Sequence, residues 1–215
     1  MTKQGDKVDQ VYNYLLGKLV KGYYVSGQRI VVSTVAKECN VSDTPVREAL
    51  RRLESDSYVH IEANQGAVAI GISRESIIHT FEIKGVLEGY AARLSVDYLS
   101  PYDIKQLREI NEAMHRAEQE GRHDAFSQLN IDFHMSIYEK CPSPELVMLI
   151  RDLWKKWSVT KVVFSTAPDR MGESYSEHLH IIELIEQQDK ETLEAFIRQH
   201  KRNAANRMTG RIAAQ

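Results

Sequence analysis

One run limits the fold more than any other: VSDTPVREALRRLESDSYV, residues 41–59. Ser42 and Thr44 each offer a side-chain oxygen suited to capping a helix. Pro45 follows, in a first turn where its missing N–H has no acceptor to lose. Val46, Leu50 and Leu53 repeat at i, i+4 and i+7, one apolar stripe for a core. Thr44, Arg47 and Arg51 form a polar stripe beside it, with Arg52 next in line. The spacing predicts a helix over 43–55. The preceding VSTVAKEC predicts a short helix over 32–38, and Asn40 between the two tolerates the left-handed conformation of a tight turn.

The segments around this pair complete a unit. Downstream, SYVHIEANQGAVAIGI alternates apolar Tyr58-Val59, Ile61, Val68 and Ile70 around the polar turn Ala63-Asn64-Gln65-Gly66. Two strands with a glycine turn follow. Upstream, a helix is expected over about 7–20 and a short strand at the end of GYYVSGQRI. Helix, strand, helix, helix and β-hairpin make a winged helix-turn-helix. From Ser73 onward a helical period runs to the end. Pro101, Gly121, Pro142-Ser143-Pro144 and the polar residues 165–172 break it into about six helices. The fold class is therefore mainly α: a winged helix-turn-helix with a small β-hairpin over 1–72, and an all-α antiparallel helical bundle over 73–215.

Composition excludes several classes. Hydrophobic residues at 42% with 27% charged describe a folded globular chain. The opening MTKQGDK is polar with no apolar run behind it, so no signal peptide is expected. No run approaches 18 apolar residues, so no membrane partner is expected. Cys39 and Cys141 match no metal spacing and read as free buried thiols, which suits the cytoplasm. The formal net charge of −2 does not announce nucleic acid, so a DNA surface has to be a local patch.

Three arginines on a helix are, taken alone, a solvated face. The ordered elements around them shift the reading to double-stranded DNA, with the helix N-terminus and arginines meeting phosphates and base edges. The same residues 41–59 resemble the signature of the GntR family of bacterial transcription regulators, VS-x-TPVREAL-x-x-L followed by a short segment and a glycine-containing wing. The resemblance implies that Thr44 and Arg47 contact the groove and that Gly66 stands at the wing tip, where only backbone approaches the duplex closely. Ser42, Asp43, Thr44, Arg47, Arg51, Gln65 and Gly66 are the expected DNA-binding set. Family members usually carry an arginine where this chain has Asp43, and often another at Ser33. Asp43 can pair with Arg47 at i, i+4, repel phosphate, or accept from a cytosine amino group. A changed operator preference is expected.

In the second half, four residues stand out. Asn130 and His134 share a helix face at i, i+4 in LNIDFHMSIYEKC. YSEHLHIIELIEQQDKETLEAFIRQHKR reads as a helical hairpin turning around residues 187–190. His178 precedes that turn by about ten residues and His200 follows it by about eleven, so both return to one height. Three imidazoles and an amide oxygen can then converge as ligands for Zn²⁺, Ni²⁺ or a similar divalent ion. His60, His79, His115, His123 and His180 read as structural.

The second half resembles the FCD ligand-binding domain of the FadR subfamily of GntR regulators. Its pieces stand here as Asn130, Phe133-His134, Glu177-His178, Asp189 and His200. Many relatives have aspartate at the place of Asn130, which implies lower metal affinity here and less repulsion of a bound anion. TFEIKGVLEGYAARLS resembles the domain's first long helix, where an arginine commonly stands at Lys84. A buried cation there suits a small organic acid, as a point charge without arginine's two-pronged fork. The expected function is a one-component regulator, a homodimer whose operator binding responds to a carboxylate near the metal. The alternatives are a metal-dependent enzyme and a regulator with a vestigial, ligand-free sensor. Against the enzyme, Glu177 points about 100° from His178 and is not obviously aimed inward.

Overall fold

The computed structural model describes residues 4–20, 22–62, 66–70, 73–156 and 163–210. The chain opens with α1 (Gln4–Val20), followed by β1 (Arg29–Ile30), α2 (Val32–Glu38), α3 (Asp43–Ser55), β2 (Val59–Glu62) and β3 (Gly66–Ala69). Helix α1 packs on α3, and Leu15, Leu16 and Leu19 of α1 are buried, as are Val46, Leu50 and Leu53 of α3, the stripe that the spacing predicts. Asn40 takes φ +52° between α2 and α3, so the tight turn is left-handed there. The three strands form an antiparallel sheet in the order β1-β3-β2.

The sheet corrects one expectation. Val59 pairs with Ala69 and Ile61 with Ala67, so Ala67 and Ala69 share the inner face. Both alanines are 2% exposed, whereas Val68 is half-buried and Ile70 is 47% exposed. Hydrophobicity alone favours the larger residues for the core, but the pairing register sends them outward. The turn residues Ala63, Asn64 and Gln65, and the expected boundary at Ile72, lie outside the described residues.

The second half contains α4 (Arg74–Ser95), a 3-10 turn (Val96–Tyr98), α5 (Pro101–Gln119), α6 (His123–Tyr138), α7 (Pro144–Lys156), the single-turn α8 (Val163–Thr166), α9 (Arg170–Glu186) and α10 (Lys190–Thr209). Local chemistry fixes several starts. Ser100 and Asp103 form a capping box at α5, with Pro101 in the first turn. The Asp189 side chain accepts from the Thr192 N–H at α10. Gln188, at φ +56°, turns the chain from α9 to α10, where the helical hairpin was expected.

The pairing of α4 with α10 shapes the interior. A Cβ on Gly89 would stand 2.8 Å from the Glu194 carbonyl oxygen, and one on Gly85 3.4 Å from the Arg198 Cα. Only glycine allows the two backbones this close. The close approach brings Lys84 and Glu88 of α4 against Lys201 of α10. Phe81, Phe133, Ile137, Ile181, Ile182 and Ile197 fill the space between helices. Cys39 and Cys141 are buried free thiols, as expected.

Candidate nucleic-acid interface and metal centre

The start of α3 is built to face outward. Ser42 is its N-cap in extended conformation and makes no side-chain capping bond, while Thr44 lies inside the first turn. Ser42, Asp43, Thr44, Arg47 and Arg51 are all exposed, and Pro45 is buried beneath them. Uncapped N–H groups and exposed guanidinium groups form one surface. Among the described residues Asp43 makes no ion pair with Arg47, although the spacing permits one. Arg52 goes elsewhere: it bonds Asp9 of α1 at 2.5 Å and lies 4.9 Å from the Tyr12 ring centroid. It joins α1 to α3 rather than extending the outer stripe.

Gly66 has φ +88°, as a wing glycine requires. A Cβ there would stand 3.6 Å from Arg29 Nε and 3.7 Å from its Nη2. Arg29 is exposed on β1, and its guanidinium therefore flanks the wing. Sequence reasoning passed over it, because only the pairing of β1 with β3 puts it beside Gly66. Gln65 lies outside the described residues.

The three expected histidines converge. His134 of α6, His178 of α9 and His200 of α10 are buried and offer ring nitrogens that all lie within 4.8 Å of one another. Their ring centroids form a triangle with sides of 4.9, 5.0 and 5.1 Å. His134 Nε2 and His200 Nε2 are 3.1 Å apart. His178 stacks on Phe133 at 4.1 Å, and neither of its ring nitrogens has a hydrogen-bond partner among the described residues. Burial first, and then neighbouring charges, with Lys201 acting on each ring and Arg170 on His178 and His200, push all three imidazoles well below their ordinary range. Neutral imidazole is the state that donates to a metal.

Glu177 corrects the sequence reading. It is aimed at the site from the side: its Oε2 accepts from His200 Nδ1 at 2.5 Å and from Arg170, and its Oε1 accepts from Asn203 at 2.6 Å. A carboxylate only accepts, so Nδ1 of His200 carries the proton and its Nε2 is bare. This is the carboxylate–histidine arrangement that orients metal ligands. The residues therefore fit a divalent ion, and the orphaned nitrogens of His178 are the clearest sign.

Asn130 is 9% exposed and lines the same small cavity as His200. Lys84, Lys201, Trp154 and Ser174 line it too, and the room is about 20 Å³, enough for about one water. Lys84 faces inward and is 1% exposed. Its Nζ lies 3.0 Å from Glu88 Oε1 and 3.5 Å from the Trp154 ring centroid. Lys201 Nζ lies 2.8 Å from Glu88 Oε2. Tyr138, on α6, donates to Glu88 at 2.9 Å and lies 3.2 Å from His134 Nδ1. Lys201, Glu88 and Tyr138 escaped sequence reasoning because each looks like an ordinary helix residue until three helices are superposed.

Comparison with known proteins agrees with both halves. Residues 7–68 match the bacterial regulatory proteins of the gntR family, and residues 79–203 match the FCD domain. The HTH-type transcriptional regulator McbR of Escherichia coli (strain K12) is 30% identical over 145 residues, 67% of this chain and 66% of that protein. The gluconate operon transcriptional repressor of Bacillus subtilis (strain 168) is 28% identical over 167 residues, 77% of this chain and 67% of that one. The solved structure of E. coli McbR/YncC superposes with a TM-score of 0.62 at 25% identity, covering 92% of this chain and 94% of that chain. No helix among the described residues is long and apolar enough to cross a membrane. With a winged helix-turn-helix ahead of a helical bundle that buries three histidines, this chain belongs to the GntR family of bacterial transcription regulators, and its second half is an FCD domain.

Proposed function

We propose that this regulator binds operator DNA through residues 1–72 and senses a small carboxylate beside a divalent ion through residues 73–215, acting as a cytoplasmic homodimer. On the DNA side the reading rests on Ser42, Asp43, Thr44, Arg47, Arg51, Gln65 and Gly66, to which we add Arg29 as a phosphate contact beside the wing. In the second domain, His134, His178 and His200 hold Zn²⁺ or Ni²⁺, with Asn130 a weaker fourth ligand. The ion supplies a positive centre to which one carboxylate oxygen can bind. The observation that carries this reading is His178: a buried imidazole with neither nitrogen partnered among the described residues costs about 1–3 kcal/mol unless something binds it.

Charge supports an acid as effector. Lys84 and Lys201 share the single carboxylate of Glu88, so this buried group keeps one positive charge in excess. Neutral histidines and an asparagine add none of the negative charge that a divalent ion needs. One relative is named for a gluconate operon, and gluconate is a hydroxy acid. An enzymatic reading has less support: Glu177, the nearest carboxylate for proton transfer, is already held by Arg170, His200 and Asn203. For the homodimer, α4 exposes Ile83, Val86 and Tyr90 along one stripe, and the neighbouring α7 exposes Met148 and Leu149. A second copy of the chain suits this apolar face.

Elemental analysis of protein purified without chelator tests the metal. Wild type should carry a divalent ion and His134→Ala should carry far less. Equal metal content in the two would remove the histidines from the site.

A further inference from the structure

Tyr138 is buried on α6 one turn after His134, between that histidine and Glu88. Its hydroxyl has one proton and two neighbours: Glu88 Oε2 at 2.9 Å and His134 Nδ1 at 3.2 Å. Glu88 sits against two ammonium groups, Lys84 at 3.0 Å and Lys201 at 2.8 Å. A carboxylate so placed stays ionised and can only accept. The phenol O–H therefore donates to Glu88. What remains for His134 is a phenol lone pair, so Nδ1 must bring the proton. His134 Nε2 is then bare, and it faces His200 Nε2 at 3.1 Å. His200 is in the same state, because its Nδ1–H donates to the Glu177 carboxylate. Two lone pairs at this distance repel, and a cation between them is the complementary occupant.

We infer that Tyr138 and Glu88 are positioning residues for the ion site: they hold His134 as the Nδ1–H tautomer and so aim an unprotonated Nε2 at the ion. The inference rests on the metal reading above. It also joins that site to the lysine pair, because Glu88 serves both. Neither residue touches the ion. Their part is to choose which nitrogen of His134 is free and to fix the ring plane.

Tyr138→Phe removes the hydroxyl and keeps the ring that fills the core. Nickel(II) titration of metal-free protein should show binding weakened about 10-fold or more. Nitrogen-15 spectra of the histidine rings supply a readout that loss of packing would not move. Metal-free wild type should show His134 as the Nδ1–H tautomer, and Tyr138→Phe should move it toward Nε2–H. An Nε2–H tautomer in wild type would overturn the inference, as would a variant with unchanged nickel affinity and unchanged tautomer. If wild type takes up no nickel, the metal reading fails, and the ring spectra still decide the role of Tyr138. Should the variant not fold, the wild-type spectrum alone decides it.

Discussion

Glu88 balances two lysines, and that imbalance gives its substitutions different signs. Glu88→Gln leaves Lys84 and Lys201 buried without a counter-charge and should cost about 3–5 kcal/mol, read from urea unfolding. Lys84→Met leaves a balanced Glu88–Lys201 pair, so it should cost far less and can stabilise. A Lys84→Met variant as damaged as Glu88→Gln would refute the charge count. Burial pushes the Lys84 ammonium down to about 8, with Glu88 opposing and Lys201 assisting. The unfolded chain keeps that proton until near 10.5, so it binds more protons than the fold between the two values. Stability from this residue therefore rises with pH across that window. The urea midpoint of wild type should gain on that of Lys84→Met from about pH 8 to about pH 10. On the outer surface, Arg47→Ala should weaken operator binding by roughly 1–3 kcal/mol and relax its sequence preference. Arg29→Ala should weaken binding evenly across sequences and lower the salt slope by about one. Anisotropy titrations at several salt concentrations separate the two. The histidines were legible because each sits in a local motif with countable spacing. Glu177 was misread because a 100° step describes where a side chain starts, whereas a glutamate reaches sideways to the next helix.

Among the elements, α4 and α10 depend on two glycines for their closeness. Gly89→Ala improves intrinsic helix propensity by about 1 kcal/mol, yet it drives a Cβ into the Glu194 carbonyl. The clash should win, with a net loss of roughly 1–3 kcal/mol in urea unfolding. A stabilised variant would mean that the helices separate easily. The helix-turn-helix was readable from sequence since Asn40, Pro45 and the stripe Val46, Leu50 and Leu53 are local signals. The turn between α9 and α10 was readable for the same reason. The inner face of β3 was not: two alanines face the helices there, and only the register of three strands reveals it. Burial of Lys201 was likewise unreadable, because its charge is drawn inward by Glu88 on another helix.

At the scale of the whole molecule, a bound ion should raise the thermal midpoint by mass action, and a chelator should return it. Lys84→Met should keep that response to metal while losing the response to carboxylates. An equal response of wild type and variant to di- and hydroxy-carboxylates would remove Lys84 from the effector site. The cavity between Lys84, Asn130, Trp154 and Lys201 has about 20 Å³, too little for any organic acid. For the proposed acid to enter, the side chains that line this cavity would have to part, and that event would have its own rate. In a stopped-flow experiment following Trp154 emission, with Trp157 replaced by Phe, the observed rate should climb with acid concentration and then level off. The plateau is the opening rate of the protein itself. On the function proposed above, such a regulator would ignore brief pulses of its signal: however concentrated the acid, the operator would respond no faster than those side chains breathe.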